Sequence, residues 1–560
     1  MSFPMLTTRV TVPPLRSGLV DRPRLIAELQ ASFERGVRLI LISAPAGSGK
    51  STLAGAWVRT AQAAPGLRFA WLSLDPADNE ALRFWSGLIG ALQVALPEIG
   101  HAEQRMLAFS ETPPLEAVLT GLLNQIGARS ERIVVILDDY HLITEPSIHD
   151  GLSFLLEHLP ANLQVALCTR ADPPLPLNRL RVRAQLLEVR AADLFFTPPE
   201  SERLINGVMG LGLSAGDLAA LDERTEGWAA GVQLAAVLLM DERRKPADGA
   251  AAERLSALVT RLSGRHHLIA DYLLDEVLSR QTEAVQRFLL ESSILDAFCA
   301  PLCAALLGED PAQAQAVLET LDRGNLFLIP LDEEKTWFRY HHLFADALRI
   351  RLERTQPDAS AELHRRASRW FEENGLAEAS IDHALAACDY DRAAGLLEGN
   401  AGEFARQGRY ATLLRRVGQI PAEIVSAHPR LAVWGGRARV LSGDLSAAEA
   451  QLQHLERVGE PAGLTGELRG QIAAVRATAA VLNADVAAAK AQAQLALDLL
   501  PPSDPTRAAV LLSFGDAAMM SGEFPLGIRL FGEAVELCRQ HNDLSNLLTA
   551  SAHLAEGFWM

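Results

Sequence analysis

Residues 38–52 read Arg-Leu-Ile-Leu-Ile-Ser-Ala-Pro-Ala-Gly-Ser-Gly-Lys-Ser-Thr, and this stretch decides the fold of the first part of the chain. Its opening apolar run is typical of a buried strand, and residues 52–64 follow with a helix-like pattern. Between them lies a glycine-rich loop that ends in Lys50 and Ser51. The order strand, glycine-rich loop, helix is the context that a phosphate-binding P-loop requires, so the sequence predicts one here.

The residue types of this loop suit the binding of an anion. Gly47 and Gly49 let consecutive backbone N–H groups curl around a phosphate, and the helix N-terminus adds its dipole. We expect Lys50 to contact the β- and γ-phosphates of ATP and to act in catalysis, and Ser51 to bind Mg²⁺. Ala44 stands where the consensus has its first glycine, a position that mainly needs to be compact. The predicted nucleotide contacts from this loop are Ala44, Gly47, Ser48, Gly49, Lys50, Ser51 and Thr52.

An acidic pair follows a second strand pattern further along the chain. Residues 133–137, Ile-Val-Val-Ile-Leu, lead directly into Asp138 and Asp139. Such a pair is also common as a helix cap or a solvated turn. In a P-loop protein, however, a buried strand that delivers an acid at its carboxyl edge provides the magnesium carboxylate. The two motifs together predict that Asp138 holds the water shell of Mg²⁺ and that Asp139 polarises the attacking water.

Strand and helix patterns alternate over the first part of the chain. Further strand patterns cover residues 68–74 and 163–168, and helical stretches cover residues 80–96 and 114–128. This alternation predicts a parallel sheet with helices on both faces. The first part of the chain is therefore predicted to be an α/β P-loop NTPase domain.

Three further motifs contain candidate site residues, and each has two interpretations. Arg170 follows a predicted strand and could sense the γ-phosphate or form a surface ion pair. Gly227 and Trp228 could allow close packing on an adenine ring, or Trp228 could be a core residue. His341 could reach a diphosphate or have a structural role. It makes no metal site with His342, because adjacent residues of a helix point in different directions.

Changes in pattern divide the chain into a multidomain protein. After residues 196–200, Phe-Thr-Pro-Pro-Glu, the strand signal almost vanishes, which indicates a boundary near residue 198. Residues 326–340 contain two short apolar runs around a polar turn, which suggests a winged-helix element. The predicted domains are a P-loop ATP-binding domain at 1–198, a helical lid at 199–262, a winged-helix domain at 263–355 and a TPR-like α-solenoid sensor at 356–560.

The last part of the chain is helical, rich in alanine and repetitive. Similar segments begin at Leu441, Leu482 and Met520, at spacings of 41 and 38 residues. These spacings are near the period of paired-helix solenoid units, in which small residues form the turn between the helices. One further step of 40 residues reaches Met560 without a capping end, so we expect the sequence to be a fragment cut within a repeat.

Composition places the 560-residue chain among globular proteins with several domains. It has 49% hydrophobic and 22% charged residues and no long uncharged apolar run, so we predict no membrane partner. The N-terminus lacks the apolar region of a secretory signal, and we expect a cytoplasmic protein. With a formal charge of −17, these residues are expected to repel a nucleic-acid backbone unless a basic patch is segregated on one face.

Several longer strings are more specific than a P-loop alone. They are Leu137-Asp-Asp-Tyr-His-Leu-Ile143, Arg170-Ala-Asp-Pro-Pro-Leu-Pro176, Glu226-Gly-Trp-Ala-Ala-Gly231 and Tyr340-His-His-Leu-Phe-Ala-Asp346. Together with the P-loop, and in this order over essentially the whole chain, they resemble the MalT-like LuxR-family ATP-dependent transcriptional activators. That family is a branch of the STAND signalling ATPases.

The resemblance implies a nucleotide-operated switch. An ADP-bound resting monomer, closed by the lid and the winged-helix domain, opens when a small-molecule or protein inducer binds the solenoid and ATP replaces ADP. The ATP form then self-associates, and slow ATP hydrolysis resets the switch. By likeness, residues 20–24 border the adenine and bring Arg22 to the site. Gly227 and Trp228 occupy the place of the lid motif, and His341 matches the histidine that reads the ADP β-phosphate.

Two departures from the family limit what the resemblance implies. Ala229 stands where the wider class often has proline in the lid motif. Family members also end in a LuxR-type helix-turn-helix that binds promoter DNA, which residues 1–560 do not contain. Contact with promoter DNA and RNA polymerase is therefore expected only through a segment beyond residue 560.

An alternative function is that of a STAND ATPase with another C-terminal effector, in defence or as a scaffold. A small-molecule kinase is disfavoured, because no second compact substrate-binding domain is evident.

Overall fold

The structure is a computed structural model and describes eight stretches of the chain. They are residues 6–15, 18–61, 66–109, 115–244, 251–261, 266–459, 464–541 and 543–559. The chain divides into two compact units, residues 1–357 and 358–560. Within the described stretches, none of the helices is long and apolar enough to cross a membrane.

A five-stranded parallel sheet forms the centre of the N-terminal unit. Its strands are β1 Leu39–Ser43, β2 Leu67–Ser73, β3 Arg132–Asp138, β4 Leu163–Thr169 and β5 Leu186–Arg190. They are ordered β2-β3-β4-β1-β5, and each neighbouring pair is parallel. The sequence pattern predicts the first four strands. It does not predict β5, in which polar Glu188 and Arg190 alternate with buried Leu187 and Val189 instead of forming a continuous apolar run.

Helices cover both faces of this sheet, as predicted. They are α1 Pro23–Gln30, α2 Lys50–Ala61, α3 Ala81–Ala95, α4 His101–Phe109, α5 Leu115–Gly127, α6 Pro146–His158, α7 Leu177–Val182 and α8 Ala191–Leu194. Short 3₁₀ helices lie at Thr7–Arg9, Pro76–Asn79 and Tyr140–Leu142. Leu39 and Leu41 belong to one core, which includes residues of α3, α5 and α6. Ile40 and Ile42 belong to the other core, which includes residues of α1 and α2. Strands buried on both faces read as continuous apolar runs, which made them recognisable.

The parallel arrangement gathers the carboxyl ends of the strands at one edge of the sheet. Ser43 at the end of β1 is paired with Thr169 at the end of β4, and Ser73 of β2 is paired with Asp138 of β3. Because the P-loop follows β1, Asp139 follows β3 and Arg170 follows β4, the predicted site residues of these segments lie at a common edge.

The rest of the N-terminal unit is mostly helical. Its helices are α9 Pro198–Glu202, α10 Ala215–Thr225, α11 Ala229–Arg243, α12 Ala251–Arg261, α13 His267–Leu273, α14 Glu283–Ser292, α15 Ala300–Leu307, α16 Pro311–Arg323 and α17 His342–Thr355, with π-helical turns at Arg203–Val208 and Leu274–Leu278. Strands β6 Leu328–Pro330 and β7 Phe338–Tyr340 form an antiparallel hairpin, which confirms the predicted winged-helix strands.

The C-terminal unit consists of consecutive helices. They are α18 Pro357–Glu373, α19 Ala377–Ala386, α20 Tyr390–Arg406, α21 Tyr410–Val417, α22 Ala422–Ala427, α23 Pro429–Leu441, α24 Leu445–Gly459, α25 Gly466–Leu482, α26 Val486–Leu499, α27 Thr506–Met520, α28 Phe524–His541 and α29 Leu544–Trp559. The predicted repeat starts Leu441, Leu482 and Met520 are the last residues of α23, α25 and α27. In each case a residue with positive φ turns the chain into the next helix: Gly443 (86°), Ala484 (57°) and Gly522 (78°).

Candidate functional site

The P-loop connects the end of β1 to the first residue of α2. Gly47 and Gly49 have φ angles of 71° and 89°, in the left-handed region that glycine adopts without strain. Ala44 is fully buried, and its N–H donates to the carbonyl oxygen of Thr169 at 3.2 Å. The site therefore accommodates a methyl group where the consensus has its first glycine.

Lys50 lies under this loop and is held by its backbone. Its Nζ donates to the carbonyl oxygens of Ala44 and Pro45, each at 2.8 Å. Burial lowers the pKa of Lys50 to about 8, and Arg170 acts in the same direction. A pKa of about 8 leaves the ammonium mostly protonated at neutral pH, so Lys50 carries a positive charge beside the loop amides.

Ser51 and Asp138 meet at the carboxyl edge of the sheet. The Ser51 hydroxyl donates to Oδ1 of Asp138 at 2.8 Å, although the two residues come from α2 and β3. Burial raises the pKa of Asp138 to about 6, with a further contribution from the neighbouring Asp139. A hydroxyl and a carboxylate are oxygen ligands of the kind that Mg²⁺ prefers, so the pair suits the predicted metal.

Protein groups alone do not complete a metal site here. Within the described part of the chain, no cluster of three or more His, Cys, Asp and Glu side chains could hold a metal ion. Sites of Mg²⁺ in nucleotide-binding proteins usually combine one or two protein oxygens with phosphate oxygens and water. Ser51 and Asp138 supply the protein oxygens of that pattern.

Asp139 faces the same edge from the turn after β3. It has a φ angle of 59°, and its side chain is 46% exposed. Its carboxylate lies 3.8 Å from Nδ1 of His141, whose pKa burial lowers to about 3, with Arg170 and Lys50 acting in the same direction. Neutral His141 therefore leaves the Asp139 charge free for a water molecule or a cation. His141 belongs to the motif at residues 137–143, but its position beside the site was not predicted.

Arg170 points toward the winged-helix region. Its Nη1 donates to the carbonyl oxygen of Glu276 at 3.2 Å, and Nη2 lies 3.6 Å from the Glu276 carboxylate. Arg170 also lines the cavity described below. Arg170 therefore forms an ion pair, which is one of the two interpretations, and its contact with a γ-phosphate stays a prediction.

A cavity of about 570 Å³ joins these groups. The predicted site residues that line it are Arg22, Gly47, Ser48, Gly49, Lys50, Ser51, Thr52, Asp139 and Arg170. Ala44 and Asp138 lie behind this wall. The wall also contains residues that the sequence did not predict, which are Pro13, Pro14, Leu15, Ile26, Ala56, Arg59, Thr60, Phe196, Leu204, Ala230 and Gln233. The wall combines apolar side chains with the residues of the glycine-rich loop, which suits a nucleotide with its base and its phosphates.

Arg22 and Phe196 form one wall of the cavity. The Arg22 guanidinium lies 4.5 Å from the centre of the Phe196 ring, and its Nη1 donates to the carbonyl oxygen of Leu194 at 2.6 Å. Arg22 is therefore held in place by the segment that leads into α9. Phe196 has no local motif that would predict its role, because it meets Arg22 only in the folded chain.

Gly227 and Trp228 of the lid motif lie outside the cavity wall. Trp228 is fully buried, and its Nε1 donates to the carbonyl oxygen of Ala46 at 3.0 Å. Gly227, with a φ of 71°, accepts a hydrogen bond from Phe196 N at 2.6 Å. Neither residue lines the cavity, whereas Ala229 does. In this arrangement Trp228 has the core position that was the alternative interpretation: its indole packs behind the phosphate loop.

His341 lies one layer further from the cavity. It is 1% exposed, and its Nε2 donates to the carbonyl oxygen of Thr225 at 2.9 Å. Its ring packs against Trp228 and Phe327, with centroids 6.0 and 5.7 Å away. Burial lowers the pKa of His341 to about 4, so the ring is neutral at pH 7. The structure does not bring His341 to the cavity wall, and in this arrangement it has the structural role that was the alternative prediction.

The winged-helix region also contacts the sheet edge directly. Asn325 follows α16, and its Nδ2 donates to Ser43 Oγ and to the carbonyl oxygen of Arg170, both at 3.0 Å. The Ser43 hydroxyl in turn donates to Asp172 Oδ1 at 3.0 Å, and Asp172 N donates to Arg323 O at 3.3 Å. These contacts tie the segment before β6 to the ends of β1 and β4. No sequence motif pointed to Asn325, because its partners lie far away in the sequence.

A second contact joins the lid motif to the winged-helix region. Glu226 accepts two hydrogen bonds from Arg339, each at 2.9 Å, and a third from the backbone of His342 at 3.0 Å. Paired Arg–carboxylate hydrogen bonds fix both position and orientation. The segment from Thr225 to Ala230 therefore touches the P-loop on one side and the winged-helix region on the other.

Two family models match separate parts of the N-terminal unit. The family model of the AAA ATPase domain matches residues 19–168, and that of the MalT winged helix domain matches residues 274–360. The predicted ATPase and MalT-like winged-helix parts are thereby confirmed, and the match at 19–168 supports nucleotide binding. The division into a separate lid at 199–262 and the individual site residues stay predictions.

The alignment with curated relatives extends over most of the chain. Over 509 residues, 90% of this chain, it is 35% identical to the serine/threonine-protein kinase PknK of Mycobacterium tuberculosis and, with the same figures, to PknK of Mycobacterium bovis. The chain spans 44% of the length of these curated relatives. A crystal structure of a STAND protein with a tetratricopeptide repeat sensor from Pyrococcus horikoshii is 17% identical, with a TM-score of 0.39, and covers 98% of this chain and 81% of that chain.

Proposed function

We propose that this chain, an ATPase domain joined to a MalT-type winged helix domain, works as an ADP/ATP-operated switch that regulates transcription. In the resting form ADP occupies the cavity at the sheet edge. The winged-helix region holds that form closed, and exchange of ADP for ATP releases it. Hydrolysis is slow and returns the chain to the resting form.

The contact of Asn325 with the sheet edge carries this proposal. Asn325 binds Ser43 and the Arg170 backbone, and Arg170 itself lines the cavity. A nucleotide that changes the position of Arg170 therefore changes the attachment of the winged-helix region. Such a coupling works only when ADP and ATP bind the closed and open arrangements with different affinities. A change from 1:99 to 99:1 requires about 5.5 kcal/mol of differential binding from ATP and the inducer together.

Different residues of the cavity bind different parts of the nucleotide in this proposal. We assign the phosphates to the loop amides and Lys50, the γ-phosphate to Arg170, and the attacking water to Asp139. Ser51 and Asp138 would hold Mg²⁺ through the oxygen ligands described above. When bound, Mg²⁺ supplies positive charge to the phosphate oxygens. Arg22 and Phe196 border the base.

The partners of the switch follow from the same proposal. The C-terminal helical repeats bind the inducer, a small molecule or a protein, and the ATP form self-associates. Promoter DNA and RNA polymerase are contacted through a segment beyond residue 560, in the cytoplasm. The formal charge of −17 on residues 1–560 favours a separate DNA-binding segment over direct contact by this part of the chain.

A second candidate function has the same nucleotide switch but controls a different effector. The curated relatives that match 90% of this chain are named serine/threonine-protein kinases, and the chain spans 44% of their length. In this alternative the same module controls a kinase or another effector, as in a defence or scaffold protein. The complete coding sequence of the parent gene distinguishes the two: an encoded helix-turn-helix supports control of transcription, and an encoded kinase domain supports the second candidate.

Replacement of Asn325 tests the proposed control of the nucleotide. Asn325 has a φ of 47°, so Asn325→Gly removes the side chain without adding backbone strain. Two hydrogen bonds are lost, each worth about 0.5–1.5 kcal/mol, so we expect ADP to dissociate about tenfold faster. The measurement is displacement of a fluorescent ADP analogue from the full chain in a stopped-flow instrument.

Lys335→Gly is the matched control for this experiment. Lys335 also has positive φ, 53°, and lies in the winged-helix region, but its ammonium pairs with Asp322 at 2.6 Å and not with the sheet edge. We expect it to release ADP at the wild-type rate. Equal ADP release from Asn325→Gly and wild type would contradict control by the winged-helix region, and a wild-type chain that binds no ADP would contradict the nucleotide site itself.

A further inference from the structure

Four consecutive carbonyl oxygens of the P-loop accept hydrogen bonds. Those of Ala44 and Pro45 accept from Lys50 Nζ, at 2.8 Å each. That of Ala46 accepts from Trp228 Nε1 at 3.0 Å, and that of Gly47 accepts from Ala230 N at 3.0 Å. The first pair of bonds comes from within the P-loop motif, and the second pair comes from the lid motif.

These bonds determine where the loop amides point. A trans peptide unit is planar, so its C=O and the N–H of the next residue point in opposite directions. When Trp228 holds the carbonyl of Ala46, the N–H of Gly47 points away from the lid. When Ala230 holds the carbonyl of Gly47, the N–H of Ser48 does the same. Both Gly47 and Ser48 line the cavity, so the lid orients amides that would bind a phosphate.

The two donors of the lid are themselves firmly placed. Ala230 is the second residue of α11, where the backbone N–H has no partner within the helix and is available for Gly47. The Trp228 ring is fully buried and forms edge contacts with Phe327 and His341, at interplanar angles of 84° and 73°. The indole N–H therefore has a fixed direction.

Gly47 makes this close approach possible. A Cβ atom at position 47 would lie 2.5 Å from Cβ of Ala230 and 3.2 Å from the Trp228 ring. Distances below 3.0 Å do not occur between such atoms without movement of the backbone. The glycine is thus needed for contact with the lid as well as for the turn of the loop.

We propose that Trp228 is a positioning residue that pre-orients the phosphate-binding amides of the P-loop through its hydrogen bond to Ala46. The proposal rests on the nucleotide binding proposed above. When Lys50 turns toward the phosphates, it gives up the carbonyls of Ala44 and Pro45, and the bonds from Trp228 and Ala230 to the next two carbonyls remain. Trp228 acts on the phosphates through the loop backbone and makes no contact with the base.

The test compares two Trp→Phe variants of the full chain. Trp228→Phe keeps an aromatic ring but removes the donor to Ala46. Trp85→Phe is the matched control, because the N–H of Trp85 is also buried but has no hydrogen-bond partner among the described residues. Affinities for ADP and for adenosine are measured by titration calorimetry, and the folded state of each variant is checked by its unfolding temperature.

The expected result distinguishes an effect on phosphate binding from an effect on base binding. Loss of one hydrogen bond worth about 0.5–1.5 kcal/mol weakens ADP binding by Trp228→Phe about three- to tenfold. Adenosine has no phosphates, so its affinity stays at the wild-type value, and Trp85→Phe binds both ligands normally.

Two outcomes would overturn the inference while leaving the nucleotide site intact. In one, Trp228→Phe loses affinity for adenosine and for ADP equally, which would place the indole against the base. In the other, Trp228→Phe binds ADP as tightly as Trp85→Phe. A wild-type chain that binds neither ligand would remove the proposed function, and this inference with it.

Discussion

Burial shifts the pKa values of individual residues at the sheet edge. The pKa of Lys50 falls to about 8 and that of Asp138 rises to about 6, in each case mainly because the charged form is desolvated. Both groups are nevertheless mostly charged at pH 7. The shifts bring each pKa close to neutrality, where a bound phosphate or metal ion can change the protonation state at small cost.

His341 gives the N-terminal unit a specific pH dependence. Its pKa is about 4 in the folded chain against 6.5 for an ordinary histidine, so below pH 6.5 the unfolded chain binds a proton that the folded chain does not. The free energy of unfolding therefore falls as the pH is lowered from 6.5 to 4, by up to about 3 kcal/mol from this group. Above pH 6.5 the group has no effect.

The measurement is urea unfolding at several pH values, for wild type and for His341→Gln. The glutamine amide can still donate to the carbonyl of Thr225 but does not titrate. We expect the variant to lose less stability than wild type between pH 6.5 and 4. Parallel curves for the two proteins would show that His341 is not buried in neutral form.

Local patterns predicted some residues of the site and not others. Lys50, Ser51 and Asp138 lie in contiguous motifs whose spacing reflects one strand, one turn and one helix, so they could be recognised in the sequence. Asn325 and Phe196 meet their partners only through tertiary contacts, and no periodicity marks them. Trp228 was found, but its contact was not: the sequence could not distinguish packing on a base from packing behind the loop.

At the level of elements, the turn between α10 and α11 is the most constrained part of the lid. Gly227 has a φ of 71°, and a Cβ atom there would lie 2.3 Å from the carbonyl oxygen of Phe196. Gly227→Ala therefore strains the backbone and also pushes the lid away from the segment that borders the cavity. We expect a loss of about 1–3 kcal/mol in the free energy of unfolding beyond the strain of the φ angle itself.

Gly212→Ala isolates that strain. Gly212 lies in the same region with a φ of 68°, but nothing lies within 4 Å of a Cβ atom built there. It should cost only the penalty of a left-handed residue, about 1–2 kcal/mol. Denaturant unfolding of both variants gives the difference. Equal losses would mean that the Phe196 contact in the structure is not close.

Elements with a strong period were predicted well, and weakly patterned ones were not. Strands β1, β3 and β4 are buried on both faces and give continuous apolar runs, whereas β5 at the edge of the sheet has only two buried side chains. The wing β6–β7 was predicted because a polar turn separates its two short runs. The helical repeats were predicted because the turns after α23, α25 and α27 recur in the sequence.

On the scale of the whole molecule, the sheet domain, the helices that follow it and the winged helix belong to one compact N-terminal unit. Three contacts join these parts: Trp228 bonds to the P-loop, Arg339 to Glu226, and Asn325 to Ser43 at the sheet edge. Such a set could not be predicted from the sequence, because each contact depends on the arrangement of several elements. The two matched family models, at residues 19–168 and 274–360, lie on either side of the lid motif that connects them.

Bound nucleotide and assembly state, measured together, show whether nucleotide identity controls the state of the chain. The purified chain is analysed for bound nucleotide, and its mass in solution is measured with ADP and with ATP and Mg²⁺. Lys50→Ala and the control Lys335→Ala are treated in the same way. We expect wild type and Lys335→Ala to carry co-purified ADP, to be monomeric with ADP and to form a larger assembly with ATP. We expect Lys50→Ala to lose the bound ADP and to stay monomeric with ATP. Rapid, steady ATP turnover by a monomer that retains no ADP would contradict control by the nucleotide.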